Sequence, residues 1–116
     1  MNSERQIIFH GRYFKEFFVT QSQKVRDKIA YVFQLIRTVS RVSEKFLKHL
    51  EGTDGLYEIR VDVGSDTYRI FCCFDHGNLV VLFNAFQKKS QRTPKDQIEL
   101  AERLKNEYFA TKEKKT

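Results

Sequence analysis

The sequence lacks the features that mark disordered, membrane-spanning and secreted proteins. One proline and five glycines among 116 residues are too few for a disordered linker or a low-complexity segment. No apolar run approaches the roughly 18–20 residues that span a bilayer. The polar segment from Met1 to Arg5 does not resemble the start of a secretory signal peptide, so we expect none. These absences predict a soluble cytoplasmic protein.

Cysteine and histidine are also scarce. The two cysteines, Cys72 and Cys73, are neighbours on a predicted strand and point to opposite faces, so they are poorly placed for a mutual disulfide. Buried thiols in a reducing cytosol are typical of this usage. The three histidines, His10, His49 and His76, fall in turns or on N-terminal elements. Because the spacing of these residues does not suggest metal ligands, we predict neither a metal site nor a cofactor.

Positive charge and phenylalanine are abundant instead. The chain has 21 Lys and Arg against 15 Asp and Glu, a net charge of +6, and eleven phenylalanines with no tryptophan. Such a charge favours a polyanionic partner, either nucleic acid or an acidic protein. A generic basic surface would give the same net charge, so the positions of the cations must decide between these interpretations.

The N-terminal half predicts one strand followed by helix. Arg5–Phe9 has the composition of a short strand. Apolar residues then recur at spacings of three and four between Phe14 and Val39, which predicts a long helix or a helical hairpin. Thr20–Gln23 is the expected break, and a further helical turn is predicted for Ser43–Leu50.

The C-terminal half predicts a β-meander and a final helix. Three strands separated by short turns are expected over Leu56–Val63, Tyr68–Phe74 and Leu79–Phe86. A helix should follow from Pro94 to about Tyr108, with Thr93 as its N-cap.

Together these elements predict an α+β fold. A small antiparallel sheet, formed by the N-terminal strand and the three-stranded meander, would pack against the helical segments and leave its other face partly open. We expect a single domain over residues 1–110 and a charged, frayed tail over residues 111–116.

Charged residues alternate with apolar residues on the predicted strands. Glu58, Arg60 and Arg69 point away from the apolar face, so they should emerge on the open side of the sheet. A strand arginine on an open face is a poor structural choice unless an anion meets it. Each of these charges alone could simply be paired or solvated, but the constellation favours binding of a phosphodiester backbone. Basic residues continue after the last strand at Lys88, Lys89, Arg92 and Lys95.

A helix N-terminus adjoins this basic loop and is itself favourable to anions. Thr93 lies at that junction, and Phe86, with Phe71 as a second candidate, could stack on a base. The sequence therefore predicts an RNA-binding set at Phe86, Arg92, Thr93 and Lys95.

Three segments resemble the toxins of bacterial toxin–antitoxin pairs. They are LYEIRV at 56–61, YRIFCCF at 68–74 and LFNAFQKKSQRTPKDQIELAERL at 82–104. Within the RelE/ParE superfamily they are most similar to the phage-derived HigB-like branch. The aromatic-Arg-Ile strand and the F-x-K-K-x-x-[KR]-T-P segment before a helix are the most specific pieces. The resemblance is strong from Leu50 to Tyr108 and extends to the N-terminal part only by topology.

The resemblance implies a RelE-like fold and a ribosome-dependent endoribonuclease that cleaves mRNA and is silenced by a cognate antitoxin. The family's catalytic positions fall on Glu58, Arg60, Arg69, Lys88 and Lys89. The sequence departs from members that place a histidine or a terminal tyrosine at the active site. The general base and the general acid therefore remain unassigned among these residues.

The implied cleavage needs no metal, because the 2′-hydroxyl of the RNA attacks the adjacent phosphate. Guanidiniums suit stabilisation of the phosphorane, and a lysine or Glu58 could transfer the protons. One alternative is a non-enzymatic toxin that, like ParE relatives of the same fold, inhibits DNA gyrase by binding it. A plain RNA-binding module is a weaker alternative. The combination of Arg60, Arg69, Lys88 and Lys89 favours cleavage.

Overall fold

The computed structural model describes residues 4–114, which form three helices and a five-stranded mixed sheet. This arrangement confirms the predicted α+β class. The sheet has the strand order β1-β5-β4-β3-β2. The elements are β1 (Gln6–Phe9), α1 (Tyr13–Val19), α2 (Gln23–Thr38), β2 (Leu47–His49), β3 (Tyr57–Val63), β4 (Asp66–Asp75), β5 (Leu79–Lys88) and α3 (Lys95–Lys114).

The sheet is mixed, whereas the sequence predicted a wholly antiparallel sheet. Strands β3, β4 and β5 form the predicted antiparallel meander, but β1 pairs with β5 in parallel, with Gln6 opposite Leu79 and Phe9 opposite Leu82. Parallel pairing requires the chain to cross over between the two strands. Such a long-range pairing leaves no periodic signal in the local sequence.

The helical turn predicted for Ser43–Leu50 is wrong, because this segment contains the edge strand β2. Leu47 pairs with Ile59 and His49 with Tyr57. Only the start of the segment turns, where the amides of Phe46 and Leu47 donate to the Ser43 carbonyl. Pairing with β3 therefore overrides the local helical pattern.

The predicted break in the helical segment is confirmed between α1 and α2. Ser22 caps α2, and its hydroxyl accepts a hydrogen bond from the Val25 amide. The apolar stripe of α2 then packs against the odd-numbered residues of β3, including Ile59 and Val61. The buried residues of the stripe are Val25, Ile29, Val32 and Ile36.

Helix α3 packs on the opposite face of the sheet, which we had expected to stay partly open. Ala101 and Leu104 of α3 form a second core with Phe71, Phe83 and other buried residues. Arg60 and Arg69 do not belong to this core. The helix therefore covers one end of the face and leaves the charged end to the β5–α3 loop.

The limits of α3 differ from the prediction at both ends. It begins at Lys95, and the Pro94 carbonyl accepts the amides of Gln97 and Ile98. It continues to Lys114, so residues 111–114 are helical rather than part of a frayed tail. Residues 115 and 116 lie outside the described part of the chain.

Cys72 and Cys73 are free and buried, which confirms that they do not pair. Burial raises the pKa of both thiols, that of Cys73 to about 11. They therefore stay protonated and unreactive near neutral pH. Within residues 4–114, none of the helices has both the length and the apolarity that crossing a membrane requires.

Candidate active site

The register of the sheet brings the predicted strand residues together on one face. Arg60 on β3 is paired with Arg69 on β4, and Arg69 is paired with Phe86 on β5. Thr67 is paired in the same way with Lys88. Because directly paired residues project to the same side of a sheet, these side chains share one face. Glu58 joins them, two residues before Arg60 on β3.

Glu58 lies between the two strand arginines. Its Oε2 atom is 3.6 Å from Nε of Arg60, and its Oε1 atom is 3.6 Å from Nε of Arg69. Asp62 approaches Arg69 from the other side, with Oδ1 3.9 Å from Nη1. These distances are those of ion pairs rather than of hydrogen bonds. The carboxylate therefore compensates charge without satisfying the donors of the guanidiniums.

Burial is the main correction to the predicted site, because Arg69 and Glu58 do not project freely from an open sheet. Arg69 is only 5% exposed and Glu58 only 7%. Among the described residues, Arg69 Nε and Glu58 Oε1 have no hydrogen-bond partner. Arg69 does donate one hydrogen bond, from Nη1 to the Tyr68 carbonyl at 3.1 Å. A buried guanidinium with an unsatisfied donor is a costly arrangement.

The electrostatics of Arg69 follow from this position. Burial lowers its pKa most, and the neighbouring Arg60 lowers it further, while Glu58 and Asp62 act in the opposite direction. The guanidinium nevertheless stays charged at physiological pH, because its ordinary pKa is so high. The site therefore holds a positive charge that is poorly solvated and incompletely paired.

A pocket of about 420 Å³ opens beside Arg69. Its lining contains three cations and no acid, and it joins β4 to the loop that follows β5. Within that loop the Ser90 hydroxyl donates to the Arg92 carbonyl at 3.0 Å. Glu58 and Arg60 are not part of the lining, so they act on the pocket only through Arg69. The lining residues are Thr67, Arg69, Lys88, Lys89, Ser90 and Gln91.

The remaining predicted RNA-binding residues are less well placed. Arg92 and Lys95 are exposed beyond the pocket lining, and Thr93, outside it as well, is half-buried. Phe71 is fully buried and cannot stack on a base. Its ring packs edge-on against Phe86, at 5.3 Å between centroids. Phe86 is half-buried in the same core, so only part of its ring is accessible.

A second polar cluster, absent from the sequence prediction, lies where α3 meets the β4–β5 turn. The carboxylate of Asp75 accepts hydrogen bonds at Oδ2 from the Tyr108 hydroxyl at 2.8 Å and from Lys112 Nζ at 2.7 Å. The bond from Lys112 is the main cause that lowers the pKa of Asp75, whereas burial raises the pKa of Tyr108 to about 12. His10 pairs nearby with Glu107 of α3, at 2.7 Å between Nε2 and Oε1.

The sequence does not predict this second cluster, because local patterns give its members other roles. Asp75 falls in the predicted turn between Phe74 and Leu79, and Lys112 falls in the predicted tail. His76, also in the turn, has a φ of +54° and lies 2.6 Å from Lys112 Nζ through its Nε2 atom. The contacts join α3 to the end of the sheet, so their evident role is structural. Nothing in the local sequence links residues more than 30 positions apart.

Comparison with known protein families identifies a family whose sequence model covers most of the chain. The sequence model of the phage-derived Gp49-like protein family (DUF891) matches residues 16–106, which is most of the chain. The matched segment contains all of α2, the whole meander and the first half of α3. The search of curated proteins found no significant relative.

Proposed function

The chain belongs to the Gp49-like family, a RelE/HigB-like toxin family, and on that basis we propose that it is an endoribonuclease that cleaves mRNA on the ribosome. We propose further that it acts in the cytoplasm and that a cognate antitoxin holds it inactive. The reaction uses no metal ion or other cofactor. Its substrate is RNA rather than DNA, because the attacking group is the 2′-hydroxyl.

The pocket beside Arg69 is the observation that carries this proposal. Three cations line it without an acid, and one of them is a buried arginine whose nearest carboxylate oxygens lie 3.6 and 3.9 Å away. A phosphate oxygen in the pocket could accept a charge-assisted hydrogen bond from one of these cations, and such a bond is stronger than a neutral one.

The reaction proceeds by attack of the 2′-oxygen on the adjacent phosphorus. The bond between that oxygen and phosphorus forms as the bond to the 5′-oxygen breaks, which leaves a 2′,3′-cyclic phosphate and a 5′-hydroxyl. Arg69 stabilises the charge that develops on the phosphorane oxygens. Lys88 and Lys89 line the same pocket, and we assign to them phosphate binding and transfer of the two protons.

We assign Glu58 a positioning role in this scheme. It lies between Arg60 and Arg69 rather than in the pocket lining, so it is poorly placed to take a proton from the substrate. Its carboxylate instead fixes both guanidiniums relative to the sheet. This assignment differs from the proton-transfer role that the sequence left open for Glu58.

The test is cleavage of a defined mRNA in a purified translation system. We expect the wild-type protein to produce cuts that require translating ribosomes and that carry 2′,3′-cyclic phosphate and 5′-hydroxyl ends. The K88A and K89A variants should cut more slowly while remaining folded, because Lys88 ends β5, Lys89 follows it, and neither belongs to a core of the protein. Intact mRNA together with loss of DNA supercoiling by gyrase would instead establish the ParE-like, non-enzymatic alternative.

A further inference from the structure

A second groove lies next to the candidate active site, at the edge of β3. It has a volume of about 320 Å³ and joins α2 to the segment around β2 and to β3. Three cations, two aromatic rings and one acid line it: Lys28, Tyr31, Lys45, Phe46, Arg60 and Asp62. Of the residues that the sequence predicted to be catalytic, Arg60 alone belongs to this lining, and Arg69, Lys88 and Lys89 line the other pocket.

Two residues of β3 connect this groove to the active site. Arg60 lines the groove and also contacts Glu58, which in turn contacts Arg69. Asp62 lines the groove and is paired with Arg69 at 3.9 Å. The groove and the pocket therefore lie on either side of one short stretch of β3, close enough for a single extended polyanion to enter both.

The groove exists because β2 is short. Its three residues pair only with β3 residues 57–59, and the amide of Arg60 donates to the Phe46 carbonyl at 2.8 Å. Beyond that point, within residues 4–114, no strand pairs with the outer side of β3. Side chains of α2 and β3 from opposite faces of the sheet can therefore line one groove around this edge.

The exposed ring of Tyr31 is the feature that points to a ligand. Tyr31 is 53% exposed, whereas four apolar residues of the same helix are buried: Val25, Ile29, Val32 and Ile36. Lys28 Nζ lies 5.3 Å from the centre of the Tyr31 ring, and Lys45 Nζ lies 5.6 Å from that of Phe46. Aromatic faces beside a cationic track are the usual means of binding single-stranded nucleic acid.

We propose that this groove binds a nucleotide of single-stranded RNA next to the one whose phosphate lies at Arg69. Tyr31 stacks on the base, while Lys28, Lys45 and Arg60 hold the flanking phosphates. The choice of RNA as the ligand rests on the proposed function. Charge alone would also suit an acidic peptide, but such a peptide has no planar base to match an open tyrosine ring.

The experiment measures binding of a fluorescein-labelled oligouridylate of about twelve nucleotides, a length within the site sizes of single-strand binding proteins. Fluorescence anisotropy gives the Kd for the wild type and for the Y31L, Y31F and K28A variants. The K15A variant is the matched control, since Lys15 is exposed on α1 outside the groove. Cleavage of mRNA in the translation system is measured for the same proteins.

We expect Y31L to weaken binding by about tenfold and Y31F to leave it nearly unchanged, because stacking needs the ring and not the hydroxyl. K28A should lower the slope of log Kd against log salt by about 0.7, the value for one phosphate contact to a single strand. K15A should change neither quantity. Tyr31 is exposed, so these variants should keep the stability of the wild type.

The outcomes separate the groove from the proposed cleavage. If Y31L binds the oligonucleotide as tightly as the wild type, or if the wild type does not bind it, the groove is not an RNA site, whatever the cleavage result. If binding depends on Tyr31 while mRNA stays intact, the groove stands and the endoribonuclease proposal fails. If a co-purifying protein covers Tyr31 and RNA does not, the groove is a site for a protein partner and the inference is overturned.

Discussion

Arg60 and Arg69 lie directly opposite each other on neighbouring strands, and the Glu58 carboxylate is 3.6 Å from the Nε atom of each. Like charges at opposed positions of a sheet are destabilising. The pair therefore depends on Glu58, and the three side chains together still carry one net positive charge. An anion bound at the Arg69 guanidinium would offset this excess positive charge.

The first prediction concerns the compensating carboxylate. E58Q should lower the free energy of unfolding by about 3–5 kcal/mol, because it leaves the buried charge of Arg69 without its closest partner. Urea denaturation measures the change. D62N is the matched control, and it should cost less than about 1 kcal/mol because Asp62 is largely exposed. Equal effects of the two variants would contradict a special role for Glu58.

The second prediction concerns the chemistry of Arg69. The R69K variant keeps the positive charge but loses the planar guanidinium that can bond two phosphate oxygens. We expect cleavage to slow by on the order of 10²–10³-fold, the range for removal of one oxyanion donor. Rates of mRNA cleavage measure the effect. Because Arg69 is buried, far-UV circular dichroism and urea denaturation of R69K must also show that the variant stays folded.

An R69K protein that cleaves normally would remove Arg69 from the site. An R69A variant is less informative than R69K, because Arg69 is buried. On an open face it would leave the fold intact, but in the structure it would leave Glu58 buried with Arg60 as its remaining partner. A loss of activity could then reflect a loss of folded protein.

The third prediction separates the two lysines that line the pocket, Lys88 and Lys89. A lysine that only holds phosphate should, when changed to alanine, lower the salt slope of RNA or ribosome binding by about one unit. A lysine that transfers a proton should leave binding intact and flatten the dependence of the cleavage rate on pH. K88A and K89A are compared in both measurements. If neither variant changes either quantity, neither lysine takes part in the reaction.

The fourth prediction concerns stability in acid. Asp75 has a lowered pKa in the folded protein, mainly through its bond from Lys112. The stabilisation is therefore fully present above the ordinary aspartate pKa of about 4 and is lost as the pH falls through the lower folded value. K112A should remove about 1–2 kcal/mol at neutral pH and flatten the acid limb of the stability curve.

The control for this prediction is K95A, at the opposite end of α3, where the side chain is exposed. Guanidinium denaturation between about pH 2 and pH 7 covers the window set by the aspartate pKa. If K112A and the wild type lose stability in parallel as the pH falls, Lys112 does not govern the titration of Asp75.

The sequence predicted which strand residues share a face, because alternation on β3 and β4 fixes the side of Glu58, Arg60 and Arg69. It could not predict their burial. That depends on where α3 and the loop after β5 cover the sheet, and these contacts join residues far apart in the chain. The same reason explains the missed pairing of β1 with β5 and the missed bond between Asp75 and Lys112.

The groove at Tyr31 is a second feature that the sequence could not predict. Lys28 and Tyr31 belong to a helix, Arg60 and Asp62 to a strand, and their meeting depends on the shortness of β2. For Ser43–Leu50, the segment that contains β2, the sequence predicted a helical turn instead. Local patterns therefore predict which strand residues share a face of the sheet more successfully than they predict which surfaces meet around its edge.

The last prediction concerns the antitoxin, which we expect to co-purify with the chain when its gene is co-expressed and to abolish toxicity. It could cover the basic site around Arg69 and Lys89, or it could cover apolar surface on the helical side. The structure leaves apolar side chains exposed at the end of β1 and at the end of α1, with Phe9 53% and Val19 61% exposed. These residues favour the second route.

The dependence of the association rate on salt distinguishes the two routes. An inhibitor that lays negative charge over the basic site should associate much more slowly as salt increases, because salt screens charges at the rim of an interface. Contacts to Phe9 and Val19 are little screened, so we expect a weak dependence and a faster dissociation for V19D. The K89A variant is the control and should bind the partner as the wild type does. A steep salt dependence that K89A weakens would show instead that the inhibitor covers the active site.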